Sequence, residues 1–158
     1  FNNLANEGDI FIGDILIIPG GIMPAKPLPS AQTKVPSSFF IFPAEGKITQ
    51  ALHYYNAVDV ANQCGTPIYA SASGVVQKVR FDYRYGNYVT ILHNNGVVTY
   101  YGHLQTMFVK PGDNVTLGDR IATMGRTGTA ATGCHVHFQV IGTTNPLSRY
   151  NLGATLKY

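Results

Sequence analysis

Two histidines separated by a single residue, His135 and His137, have the spacing of a possible metal or proton-transfer site. Residues i and i+2 of a β-strand point to the same face and lie about 7 Å apart. Two imidazoles on one face can serve a single metal centre, one as a ligand and the other handling protons. The pattern alone is equally compatible with structural or incidental histidines.

Three further side chains are suited to the same chemistry. Asp59 lies six residues before the turn at residues 65–67, His53 lies six residues before Asp59, and His103 follows an aromatic and a glycine residue. Imidazole and carboxylate groups are both common ligands of Zn²⁺. Considered singly, Asp59 is also typical of a turn cap, His103 of a half-buried strand end, and His53 of an exposed imidazole.

The composition predicts a mainly β domain to position these residues. Apolar residues make up 45% of the chain and charged residues only 12%, with many Gly and Tyr, a balance that favours strands and turns over amphipathic helices. Residues 88–93 and 97–100 flank an Asn-Asn-Gly sequence typical of a tight hairpin, and residues 135–141 alternate. No segment has a sustained helical period. The fold class is predicted to be mainly β, an antiparallel open β-sandwich or barrel with little helix.

Three regions are predicted along the chain. Residues 1–18 resemble the second half of a LysM module, a small carbohydrate-binding unit, or else form a β-hairpin arm. Residues 19–38 contain five prolines, which block helix and central strand alike and predict a stiff linker. Residues 39–158 are the main domain. No apolar stretch reaches the ~18 residues that would span a membrane.

The charge and the cysteine content restrict the possible partners. A net charge of +3 mildly favours an anionic partner such as a cell-wall polymer. It is too small, and too evenly spread, to predict nucleic-acid binding. Two cysteines are compatible with one disulfide, with free thiols or with metal ligands.

A series of segments in a fixed order resembles the lysostaphin and LytM type of zinc peptidoglycan endopeptidases. The resemblance extends over residues 42–147, and its segments are 59–61, 64–70, 74–76, 86–91 with His93, Tyr101-Gly102-His103-Leu104, 109–115, 125–128 and Thr132-Gly133-Cys134-His135-Val136-His137-Phe138. It implies the duplicated hybrid motif of that family, one Zn²⁺ per chain and bacterial peptidoglycan as the substrate.

The resemblance also implies roles for four of the residues above. Asp59 and His137 correspond to zinc ligands, and His103 and His135 to the catalytic pair. One of that pair would take the proton from the attacking water while the other stabilises the oxyanion; the sequence does not assign which.

The first ligand of the family departs from its usual position. The family places a histidine four residues before the aspartate, where this chain has Tyr55. We expect His53 to be the third ligand, reached by a two-residue bulge, because bulges re-aim side chains. The alternative is that Tyr55 occupies the ligand position and the site is degenerate, since a phenol with a pKa near ~10 is a poor zinc ligand.

The same correspondence bears on the cysteines. Cys64 lies five residues after Asp59 and Cys134 three residues before His137, so both flank implied ligands of one metal. This predicts a Cys64–Cys134 disulfide and an extracytoplasmic setting, secreted, periplasmic or wall-associated. Reduced, packed thiols are the alternative.

The function implied by the resemblance is that of a zinc metalloendopeptidase that hydrolyses peptide bonds in the cross-links or stem peptides of peptidoglycan. The alternative is a degenerate module that binds cell wall or activates another wall hydrolase. Residues 83–88 either wall a groove for an extended peptide or form a plain surface loop. The bond cut, whether in a glycine bridge or in a direct diaminopimelate or Lys cross-link, and the oligomeric state are left open by the sequence.

Overall fold

The computed structural model describes residues 39–158, and the predicted LysM-like segment and proline-rich linker lie outside them. Ten strands account for about half of this region: β1 Gly46–His53, β2 Ala57–Ala61, β3 Pro67–Tyr69, β4 Gly74–Asp82, β5 Gly86–His93, β6 Val98–Met107, β7 Asn114–Val115, β8 Arg120–Met124, β9 His135–Ile141 and β10 Thr155–Leu156. Between residues 39 and 158 there is no α-helix; the helical elements named there are the 3₁₀ turns Tyr54–Asn56 and Pro146–Arg149.

The strands form one open antiparallel sheet in the order β10-β1-β2-β9-β6-β5-β4-β7. Outside this order, β8 pairs with both β6 and β3. The predicted mainly β, antiparallel fold class is confirmed. The Asn-Asn-Gly hairpin is also present, since β5 and β6 are antiparallel neighbours and Gly96 has a φ of 78°, as such turns require.

The hydrophobic core lies on one face of the main sheet. Alternate residues of β2 and β9 point into it, and the short β3–β8 pair contributes a second set of apolar side chains, because strand residues alternate between faces. The largest fully buried core side chains include Ile68, Ile91, Tyr101, Leu104, Ile121, Met124 and Phe138. Residues between the core positions of β2 and β9 are therefore directed to the opposite, open face.

No helix in the described part of the chain is long and apolar enough to cross a membrane.

Candidate metal centre

Asp59 and His137 lie side by side on the open face of the sheet. Their neighbours in sequence, Val58, Val60, Val136 and Phe138, are fully buried in the core, so strand alternation directs Asp59 and His137 the other way. The two residues are direct partners in the β2–β9 register. Asp59 Oδ1 lies 2.9 Å from His137 Nδ1.

His53 reaches this pair from the end of β1. The β1–β2 register slips twice, once between Ile48 and Gln50 and again between Gln50 and His53, so β1 has two more residues than β2 over the same span. His53 Nδ1 lies 2.9 Å from the Ala51 carbonyl oxygen. A carbonyl can only accept, so Nδ1 carries the proton and Nε2 keeps its lone pair for the centre.

Three donor atoms converge at one point. His53 Nε2 lies 3.3 Å from His137 Nδ1 and 3.5 Å from Asp59 Oδ1, and the third side of the triangle is the 2.9 Å contact between Asp59 and His137. A tetrahedral site with ligand bonds of 2.0–2.1 Å has edges of about 3.3–3.4 Å. The triangle therefore has the size of one face of a zinc tetrahedron, and its two nitrogens and one oxygen form a donor set suited to Zn²⁺.

Tyr55, the residue at the family's usual ligand position, lies outside this cluster. It has left-handed backbone angles (φ 61°, ψ 28°) in the turn after β1, and it is 71% exposed. The His-Asp-His group is made of His53, Asp59 and His137.

His103 and His135 lie beside the cluster as a pair, with ring centroids 4.5 Å apart. His103 Nδ1 is 2.8 Å from the Thr127 carbonyl oxygen, and His135 Nδ1 is 2.9 Å from the Gly133 carbonyl oxygen. Both Nε2 atoms are consequently unprotonated acceptors in the neutral rings. His135 Nε2 approaches Asp59 Oδ2 at 3.8 Å.

His103 occupies a backbone conformation unusual for its type. Its φ is 62°, at a point where the β5–β6 register shifts, and left-handed angles in a non-glycine residue cost roughly 1–3 kcal/mol and recur at functional sites. The His103 N–H donates to Tyr85 O at 2.8 Å. Burial is the main cause that lowers the pKa of His103 to about 4. The hydrogen bond to Thr127 raises this pKa, whereas His135 and His137 lower it further.

His93 is separate from the centre. Its two ring nitrogens are occupied by the Ser73 carbonyl and the Thr99 hydroxyl, each at 2.9 Å. Burial lowers its pKa, although the bond to Ser73 acts in the opposite direction. It is a hydrogen-bonded core histidine.

A cleft of about 190 Å³ opens over the five polar residues of the centre. Its walls include Gln50, Tyr54 and, from the β4–β5 turn, Arg84 and Tyr85. Arg84 and Tyr85 therefore support the alternative in which residues 83–88 form one wall of a groove. Gln50 and Tyr54 were not predicted as site residues; their proximity depends on the β1 bulges, which pair Gln50 with Asp59.

The two cysteines are joined by a disulfide, Cys64 to Cys134, with Cα atoms 5.3 Å apart. Cys134 directly precedes β9, so the bond ties the start of the His135–His137 strand to the loop after β2. This is the pairing expected from the sequence.

Comparison with known proteins identifies the family of this chain. Residues 53–149 match the profile of peptidase family M23, and the chain belongs to that family. It is 40% identical over 101 residues to the peptidoglycan DD-endopeptidase ShyA of Vibrio cholerae, covering 64% of this chain and 23% of ShyA. It is 36% identical over 121 residues to the murein hydrolase activator NlpD of Escherichia coli, covering 73% of this chain and 32% of NlpD.

Solved structures show the same fold. A zinc-containing peptidase from Vibrio cholerae is 32% identical with a TM-score of 0.61, covering 72% of this chain and 39% of that one. The catalytic domain of lysostaphin from Staphylococcus simulans is 27% identical with a TM-score of 0.53, covering 70% and 86%. The chain spans about a quarter to a third of the length of the curated relatives ShyA and NlpD.

Proposed function

We propose that this chain is a zinc metalloendopeptidase that hydrolyses peptide bonds in the cross-links or stem peptides of bacterial peptidoglycan. The observation that carries the proposal is the triangle of donor atoms from His53, Asp59 and His137, with sides of 2.9, 3.3 and 3.5 Å, beside two histidines whose Nδ1 atoms are held by backbone carbonyls. Membership of peptidase family M23 and the similarity to a peptidoglycan DD-endopeptidase support it.

One Zn²⁺ per chain is the proposed cofactor, held by His53 Nε2, Asp59 Oδ1 and His137 Nδ1. When bound, Zn²⁺ polarises a peptide carbonyl and lowers the pKa of water toward about 7. The chain's own contribution is to fix the ligands: the hydrogen bond from His53 Nδ1 to Ala51 O sets the tautomer and the ring orientation, as outer partners of metal ligands do.

His103 and His135 are the proposed catalytic pair. Their Nδ1 protons are held by backbone carbonyls, which leaves both Nε2 atoms to exchange a proton with water or substrate. One ring would take the proton from the attacking water at its unprotonated Nε2, and the other would stabilise the oxyanion in its protonated form, in which Nε2 carries a hydrogen to donate. The lowered pKa of His103 keeps that ring neutral at neutral pH.

The alternative is a module that activates another wall hydrolase, and the specific observation in its favour is the similarity to NlpD. The departure at Tyr55 is compatible with it. The geometry favours the peptidase, because His53 completes the donor triangle without Tyr55.

The proposed setting is extracytoplasmic, with the cell wall as the partner. The Cys64–Cys134 disulfide supports it, because disulfides persist in oxidising compartments. The net charge of +3 is compatible with an anionic wall polymer.

Digestion of purified peptidoglycan tests the proposal. The zinc-loaded chain should release new amino groups as cross-linked muropeptides disappear, and the His135→Ala variant, which keeps all three proposed ligands, should be slower by about 100-fold or more. A zinc-loaded chain that binds sacculi and leaves every peptide bond intact would favour the activator.

A further inference from the structure

We propose that Arg84 is a specificity-determining residue that binds a free carboxylate of the substrate beside the scissile bond. The substrate class that follows is a cross-link with a carboxylate next to the cleaved amide nitrogen, on the same carbon atom. A bond to the side-chain amine of diaminopimelate has this arrangement. This inference rests on the proposed peptidase function and adds to it the choice among wall chemistries.

The charge distribution in the cleft is the first observation. Arg84 lines the same cavity as His53, Asp59 and His137. Among the described residues that line it, Arg84 is the one permanent cation and Asp59 the one acid. The Asp59 carboxylate lies against His137 and His53, and among the described residues no ion pair joins it to Arg84, so the guanidinium is left to meet a charged group of the substrate.

The backbone at Arg84 is fixed by its neighbours. Asp82 Oδ1 accepts hydrogen bonds from the N–H groups of Arg84 at 2.7 Å and Tyr85 at 2.8 Å. The Arg84 carbonyl accepts from the Ala130 N–H at 3.0 Å. The β4–β5 turn is therefore bonded to the segment leading to β9 and presents Arg84 from a rigid wall.

The guanidinium group itself is available. It lies over the Tyr85 ring, 5.6 Å from the centroid, and within residues 39–158 it pairs with no carboxylate. The planar edge of a guanidinium matches a carboxylate with two parallel hydrogen bonds.

The size of the cleft limits where the carboxylate can be. Arg84 and the proposed ligands line one cleft of about 190 Å³, so a carboxylate that meets Arg84 is placed close to the bond held over the centre. A glycine bridge has no charged group there. A direct link to Lys has none on the carbon attached to the cleaved nitrogen, whereas diaminopimelate has one.

The test compares two peptides that differ in one group: a D-alanyl peptide amide-linked to the side-chain amine of diaminopimelate, with the adjacent carboxylate either free or converted to a primary carboxamide. Binding to the 158-residue chain is measured by calorimetry without metal and with zinc, and kcat/KM is measured with zinc. The wild type should prefer the free carboxylate by about 10–100-fold, as expected for a charge-assisted hydrogen-bond pair.

Variants assign that preference to the guanidinium. Arg84→Gln should bind the two peptides equally, and Arg84→Lys should keep part of the preference because it keeps the charge. Arg149→Gln is the matched control: Arg149 also lies over the ring of the next tyrosine, 5.1 Å from the Tyr150 centroid, and it is not among the residues lining the cleft, so the full preference should remain.

Three results would overturn the inference: equal treatment of the two peptides by the wild type, binding of neither, or a preference that survives in Arg84→Gln and is then due to the metal or another group. Failure of the proposed function looks different. If neither peptide is cleaved while the binding preference depends on Arg84, carboxylate recognition stands and hydrolysis is refuted.

Discussion

At the scale of single residues, the proposal of His53 as the third ligand depends on how two extra residues are accommodated before Asp59. The structure places them as bulges within β1, so that His53 faces the centre while Tyr55 is 71% exposed. Removing His53 therefore leaves an incomplete donor set, whereas changing Tyr55 removes nothing from it.

The His53→Ala variant should consequently bind zinc at least about 100-fold more weakly, because loss of an outer partner alone typically costs 10–100-fold. Tyr55→Phe should bind zinc as the wild type does. Competition with a chromophoric chelator measures both affinities. Loss of zinc in the Tyr55 variant, with His53→Ala unaffected, would reverse the ligand assignment.

The buried His103 imidazole predicts an acid-sensitive fold. Its folded-state pKa is lowered to about 4 from 6.5, chiefly by burial, so between those values the unfolded chain binds a proton that the folded chain does not. The stability contributed by this group is fully present well above pH 6.5 and falls as the pH drops toward 4, by about 2 kcal/mol once solvent screening of the ring is allowed for.

Urea unfolding of the metal-free protein between pH 8 and pH 4 measures this effect. The His103→Gln variant should show a smaller decrease than the wild type over the same range; the remaining slope includes His93, whose pKa burial also lowers. Identical slopes in the two proteins would contradict the prediction.

At the scale of elements, the wall that contains Arg84 depends on a close contact between two glycines. Gly128 has a φ of 81°, and a Cβ added there would lie 2.3 Å from Gly86 N and 2.5 Å from Arg84 O. Gly112 has a similar φ of 91° with no atom within 4 Å of its added Cβ. An alanine at either site would have a strained backbone, but only at Gly128 would its Cβ also clash with neighbouring atoms.

Gly128→Ala should therefore lower the melting temperature more than Gly112→Ala, whose cost is limited to roughly 1–2 kcal/mol of left-handed strain. Gly128→Ala should also weaken substrate binding, because the β4–β5 turn must move away from residues 127–130. Thermal unfolding and peptide titration of both variants provide the comparison. Equal losses in both variants would show that the contact is unimportant.

Strand alternation explains why part of the site was predictable. Val58, Val60, Val136 and Phe138 are apolar, so the sequence pattern alone directs the residues between them to the opposite face. The sequence could not locate His53 in the same way, because a period-2 pattern fails wherever a bulge inserts a residue. The same bulges bring Gln50 opposite Asp59, a proximity with no local sequence signal.

The placement of His103 illustrates a second limit. Tyr101 and Leu104 are both fully buried although three positions apart, which strict alternation would put on opposite faces. The register shift in this part of β6 resolves the conflict and turns His103 toward the centre. The resemblance to known peptidases identified His103, but its left-handed backbone is a tertiary feature.

At the scale of the whole molecule, the Cys64–Cys134 bond closes a long loop, with a sequence separation of 70. In the chain-entropy model, a loop of that length is worth about 4 kcal/mol at 25 °C. A Cys64→Ser/Cys134→Ser double variant should lose stability of this order, and it should lower zinc affinity because the start of β9 is no longer tied to the loop after β2.

Chemical denaturation with and without a reductant measures the loss. Reduction should bring the wild type to the stability of the double variant and leave the variant unchanged. A wild type that is insensitive to complete reduction would show that the bond contributes nothing to stability.

The zinc content of the purified chain tests the central claim most directly. Elemental analysis after exhaustive dialysis should find about one zinc per chain, because His53, Asp59 and His137 provide three donors in the geometry of one zinc site. No zinc, even after incubation with an excess of the metal, would contradict the claim, and the chain would then be better described as a binding or activating module.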